Sequence, residues 1–224
     1  MSSMFEPPRL MDLGGTFYLG LHEHDFTRPL ADAQALLDSY DVISQAGQRP
    51  KPALARSAIV MTMSGWQAFI ERLTEALLVS LEPYKSPTAA ADEEASFRRD
   101  LRYWQLRRGE VLKGVADFST PNSDNCRNLL LRVGFDPWPV WTVTDGRSHL
   151  SPAETRARLD DWLRLRHALA HGNPLQQLAV LDRSKAGSPM VTRRTAERCH
   201  RFVRTLINVT DRYFHPKSLL GGRY

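Results

Sequence analysis

Cysteine is nearly absent: Cys126 and Cys199 are the only two in 224 residues. Two thiols are too few for a disulfide framework and match no zinc-site spacing. They read as buried or half-buried thiols of a chain suited to a reducing compartment. Long apolar runs are missing as well. No stretch reaches the roughly 18 residues that a bilayer span needs. The start, "MSSMFEPPRLMDLGG", has no basic segment followed by an apolar one, so the expectation is a cytoplasmic chain with no membrane partner. There is no Gly-rich phosphate loop, no G-x-S-x-G elbow and no internal repeat, so P-loop and serine-hydrolase chemistry have no carrier here. Lysine is scarce too, 5 of the 30 Lys and Arg residues, which leaves the cationic character to guanidinium groups. Their forked donors suit phosphate better than ammonium does.

What is present is a globular composition, 42% apolar and 25% charged, with a net charge of +5 that is unevenly spread. From Arg183 to Tyr224 there are ten Lys and Arg against Glu197 and Asp211, so that segment carries +8 and residues 1–182 carry −3. The length fits one domain over 28–224 behind an N-terminal extension of 1–27. In that extension "HEHDF" brings His22, Glu23, His24 and Asp25 together, but adjacent residues do not converge on a metal without a supporting fold, so no metal is assigned.

Periodicity predicts helices throughout. "RPLADAQALLDSYDVISQA" reads as a first helix over 28–46, with Gly47 and Pro50 as stops. Ile59, Met63, Trp66, Ile70, Leu73, Leu77, Leu81 and Tyr84 recur at spacings of three and four, which predicts a long amphipathic helix over 53–84. Further helices are expected over 92–117, 124–133 and 190–214, the last with Cys199, Phe202, Leu206, Val209 and Tyr213 inward. The stretch "FDPWPVWTVTDGRSHL" is expected to be irregular because of Pro137, Pro139 and the Asp145-Gly146 turn. The resulting fold class is all-α, an irregular helical bundle with a long second helix.

The clearest local signals frame one helix. Ser151 as N-cap, Pro152 at the first helical position and Glu154 at the third form a capping box. Gly172 and Pro174 close the same helix after His171. Its final turns, "RLRHALAHGNP", hold two arginines and two histidines. On an ideal helix Arg164, His167 and His171 fall within about 60° of one another, whereas Arg166 lies roughly 140° from His171. Leu159, Trp162, Leu165 and Leu169 do the inward apolar work.

Such a cluster could cap the last carbonyls, or His167 and His171 could share a zinc ion, though no third ligand is evident. Two other features carry less. Arg194, Arg198, Arg201 and Arg212 fall on one stripe of the last helix, which serves a phosphate backbone or simply faces solvent. Glu71 and Glu75 flank the long helix, near the site or near water.

"RHALAHG" resembles the motif of the HEPN superfamily, all-α proteins that include many metal-independent RNA endonucleases. Their pattern is Arg, a polar residue, three variable residues, then His, and Arg166, His167 and His171 fill it. "ARSAIVMTMSGWQAFIERL" and "FSTPNSDNCRNLLLRVGF" resemble the RiboL-PSP-HEPN branch, so the resemblance covers about residues 50–214. It implies an endoribonuclease without a cofactor, in which Arg166, His167 and His171 are catalytic. The family's tolerance of a longer gap keeps Arg164 as the alternative arginine.

The implied reaction is attack by the RNA 2′-hydroxyl. Histidine moves the protons and arginine grips the phosphate oxygens. The resemblance further implies RNA as partner, a homodimer whose two helices meet at the site, and a toxin or defence role with an antitoxin or inhibitory protein. A non-catalytic HEPN-type module that binds RNA, a nucleotide or a partner protein is the alternative.

Overall fold

The computed structural model describes residues 27–45, 51–83, 91–145, 148–175 and 177–214. The N-terminal extension apart from Thr27, with its "HEHDF" run, lies outside these residues, as do Tyr84 and Gly146. Six helices carry the described chain: α1 (Thr27–Gln45), α2 (Lys51–Ser80), α3 (Ala91–Ala116), α4 (Ser123–Leu131), α5 (Pro152–His171) and α6 (Arg193–Phe214). The fold is all-α as the periodicity indicated, and its boundaries depart from the expected ones by a few residues at most.

The long helix organises the core. On α2, Ile59, Met63, Trp66, Ile70, Leu73 and Leu77 are buried, so six of the eight stripe positions lie inside, while Leu81 falls beyond the helix and is exposed. A 30-residue helix spans about 45 Å, and α2 uses that length to pack against α1, α3, α4, α5 and α6.

The stretch expected to be irregular carries a two-stranded antiparallel hairpin, β1 (Val143–Asp145) with β2 (Ser148–Leu150). Ahead of it, side chains hold the loop. Arg127 donates Nε and Nη2 to the two carboxylate oxygens of Asp136 at 3.0 and 2.6 Å, which holds the Asp136 carboxyl below its ordinary range. The Trp138 ring sits between the guanidinium groups of Arg127 and Arg156, at 4.1 and 3.8 Å. Trp141 Nε1 donates to Thr210 Oγ1 at 3.1 Å, and the ring meets Trp66 edge to face at 5.5 Å. Prolines that bar a helix thus leave aromatic side chains to fasten the segment to α2, α5 and α6.

A second small hairpin, β3 (Asp182–Arg183) with β4 (Pro189–Met190), precedes α6. Met190 therefore belongs to a strand, and α6 starts at Arg193 rather than at 190. Thr192 caps it by accepting from the Thr195 backbone N–H at 3.1 Å. Along α6, Cys199, Phe202 and Leu206 are buried as expected and Val209 is half-buried, but Tyr213 is exposed and packs only its ring against Phe135 and Phe214.

Candidate active site

Helix α5 begins and ends where its capping residues dictate. The Ser151 hydroxyl accepts from the Glu154 backbone N–H while the Glu154 carboxylate accepts from the Ser151 backbone N–H, a reciprocal cap. At the other end Gly172 has φ 67°, a left-handed conformation that an L side chain resists. The Gly172 and Asn173 N–H groups both donate to the Ala168 carbonyl. This turn stops the helix one residue after His171. Leu159, Trp162 and Leu165 bury the opposite face and Leu169 is half-buried, so the rod is fixed to the core while its last polar turns face outward.

On those turns the His167 and His171 ring centroids lie 4.3 Å apart, with planes inclined at 51°. Both histidines are exposed. Arg164 is exposed as well, and its Nη1 donates to Asp161 Oδ1 at 2.8 Å. An exposed pair three residues apart contributes about 0.2–1 kcal/mol, so Arg164 is only weakly tethered. Arg166 is half-buried and has no hydrogen-bond or ion-pair partner among the described residues. The backbone brings His167, His171 and Arg164 to one face and sets Arg166 on another. No group of three His, Cys, Asp or Glu among the described residues is placed to share a metal ion.

The remaining candidates are dispersed. Glu71 accepts from Gln67 at 3.0 Å and Glu75 from Arg72 at 2.8 Å, so each is engaged along α2 itself. On α6, Arg194, Arg201 and Arg212 are exposed. Arg198 is instead turned to the β3 hairpin, where Nη2 donates to the Val180 carbonyl at 2.8 Å and to Asp182 Oδ1 at 3.0 Å. Burial alone would push the Asp182 carboxyl up, but bonds from Thr192 and Thr195 and the charge of Arg198 outweigh it and hold it low. The basic stripe is thus interrupted at its second member, because Asp182 reaches it from a segment that helical spacing does not describe.

Two polar residues with definite roles have weak sequence signals. Asp161 is legible only as the acidic residue three positions before Arg164. His200 lies on α6 between Cys199 and Arg201 and is buried, with Nδ1 3.4 Å from the Thr62 hydroxyl of α2. Burial, reinforced by Arg204 and partly offset by Asp38, pushes its pKa down to about 4.

No helix among the described residues is long and apolar enough to cross a membrane. Comparison of the chain with family models, with curated proteins and with solved structures finds no match in any of the three.

Proposed function

We propose that the chain is a metal-independent RNA endonuclease that acts as a homodimer, with the end of α5 as its catalytic centre. The observation that carries this reading is the contact of the His167 and His171 rings at 4.3 Å, on an exposed helix end that also bears Arg164 and Arg166. Two adjacent imidazoles offer a proton acceptor and a proton donor to one phosphodiester. The 2′-hydroxyl loses its proton as its oxygen bonds to phosphorus, the bond to O5′ breaks, and O5′ takes up a proton. The products are a 2′,3′-cyclic phosphate and a 5′-hydroxyl, and no further reactant is consumed. A guanidinium that holds two phosphate oxygens stabilises the crowded phosphorus. The metal-free character follows from the resemblance of "RHALAHG" to the HEPN motif, as do the toxin or defence role and an antitoxin partner.

The reaction is tested by incubating purified protein with mixed RNA in the presence of chelator. Cleavage is expected to persist, to vanish when the cut position carries a 2′-deoxy sugar, and to leave a 2′,3′-cyclic phosphate. RNA that stays intact under all conditions would leave the chain as a non-catalytic RNA- or partner-binding module.

The dimer is carried over from the HEPN resemblance, in which two such helices meet at the site. The length of α2 supports it, as does the position of Arg166, about 140° around the helix from His171, where a second α5 can complete the cleft. Light scattering is expected to give twice the 25.5 kDa chain mass. Full activity from a monomer at micromolar concentration would overturn the shared site.

A further inference from the structure

Helix α3 has almost no buried surface along its first two-thirds. Between Glu93 and Glu110 no residue is buried, although Phe97, Leu101 and Trp104 are half-buried. The exposed side carries "FRRDLRYWQLRR", with five arginines in residues 98–108 against the single carboxylate of Asp100. Large apolar groups are interleaved with them: Tyr103 is 65% and Leu106 69% exposed. Tyr103 and Leu106 thus add exposed apolar surface to a cationic helix face. Arg99 and Arg102 have no hydrogen-bond or ion-pair partner among the described residues. By contrast, Arg98 is paired with Glu94, and Arg107 donates to the Arg132 carbonyl at 2.9 Å.

The same face runs into a groove. At 100° per residue Arg99, Arg102, Tyr103 and Arg107 share one sector of about 140° with Glu110 and Lys113, and the last three line a depression of about 750 Å³ between α3 and α4. Its far wall is Asn125, Asn128 and Arg132, with Thr120 at one end. The Asn125 and Asn128 amides and the Thr120 hydroxyl offer both donors and acceptors, Glu110 and Asp117 on the α3 side accept from exocyclic amines, and Arg107, Lys113 and Arg132 supply cations, so the groove matches a nucleotide, base edge and phosphate together, better than a bare phosphate. The arm ahead of it offers free guanidinium groups for phosphates and an exposed ring for stacking.

We propose that the outer face of α3 and the α3–α4 groove form a track for single-stranded RNA, in which Arg99 and Arg102 hold phosphates, Tyr103 stacks a base and the groove receives the next one. Charge alone would also suit an acidic protein, but the exposed Tyr103 within the arginine run and the amide-lined groove at its end favour a strand with bases. The track rests on the reading of the chain as an RNA enzyme and assigns the substrate a path on a helix other than α5 and α6.

The test is fluorescence anisotropy of the full chain with a short, labelled, 2′-O-methyl single-stranded RNA, which binds but cannot be cut through its 2′ oxygen, read across a salt titration. The double variant Arg99→Gln, Arg102→Gln is expected to bind roughly tenfold or more weakly at low salt. Its log–log salt slope should fall by about 1.4, the share of two phosphate contacts on a single strand. Tyr103→Ala should weaken binding about 5- to 100-fold with the slope unchanged, because stacking releases no counterions. Since all three side chains are exposed, circular dichroism should match the parent.

Variants that bind like the parent with its salt slope overturn the track, as does a parent that ignores the oligonucleotide or prefers a polyglutamate peptide. The two readings separate cleanly. If the parent cleaves natural RNA while the variants bind normally, the nuclease stands and the track falls. If the variants lose binding while the parent never cleaves, the track stands and the nuclease falls.

Discussion

His171→Ala is expected to reduce RNA cleavage by about 10²- to 10⁴-fold, the usual contribution of a positioned proton-transfer group. Arg166→Ala is expected to cause a comparable loss by removing the phosphate grip. Neither change should unfold the protein, because the buried side of α5 is held by Leu159, Trp162 and Leu165, not by its last turns. Initial rates on a fixed RNA, with circular dichroism as the fold control, measure both. Arg164→Ala is the internal comparison, since Arg164 shares the His171 face and is paired with Asp161. An inactive Arg164→Ala beside a fully active Arg166→Ala would shift the motif register to Arg164 and leave the chemistry standing. If His171→Ala and Arg166→Ala both cut like the parent, the nuclease reading of this helix is wrong and the binding module replaces it.

Acid should destabilise the protein through His200 well before its carboxylates titrate. In the folded chain this imidazole is pushed down to about 4 by burial, whereas in the unfolded chain it takes a proton near its ordinary value of about 6.5. The unfolded state therefore binds the additional proton, and stability that is complete above the unfolded value is lost as pH falls from 6.5 toward 4. The expected loss is about 2.5 kcal/mol between pH 7 and pH 4.5. Urea unfolding midpoints at the two pH values measure it. His200→Gln, which cannot titrate, should flatten the curve in that window. Asp136 and Asp182, whose carboxyls are held low, act below it, where the unfolded chain's carboxylates take up protons. Parallel losses in the parent and in His200→Gln would assign the acid sensitivity to other groups.

What the sequence by itself determined is what neighbouring residues decide among themselves. The limits of α5 are legible because each end is capped locally, Ser151 with Glu154 three residues on and Gly172 with Ala168 four residues back. The inward face of α2 is legible because a 3.6-residue repeat needs no knowledge of what covers it. The grouping of His167 with His171 follows from the same arithmetic, and so does the separation of Arg166 from both.

The tertiary structure alone decided what depends on distant partners. Arg198 leaves the basic stripe because Asp182, held by a hairpin that spacing does not reveal, attracts it. His200 is a polar residue with an ordinary helical address, and it becomes a buried imidazole because α2 brings Thr62 against it. Nor could spacing show that the arginine-rich side of α3 stays uncovered, since exposure is set by which neighbours a helix fails to meet. Local hydrogen bonds and periodicity are properties of a few consecutive residues, whereas burial and ion pairing belong to the packing of segments far apart in the chain.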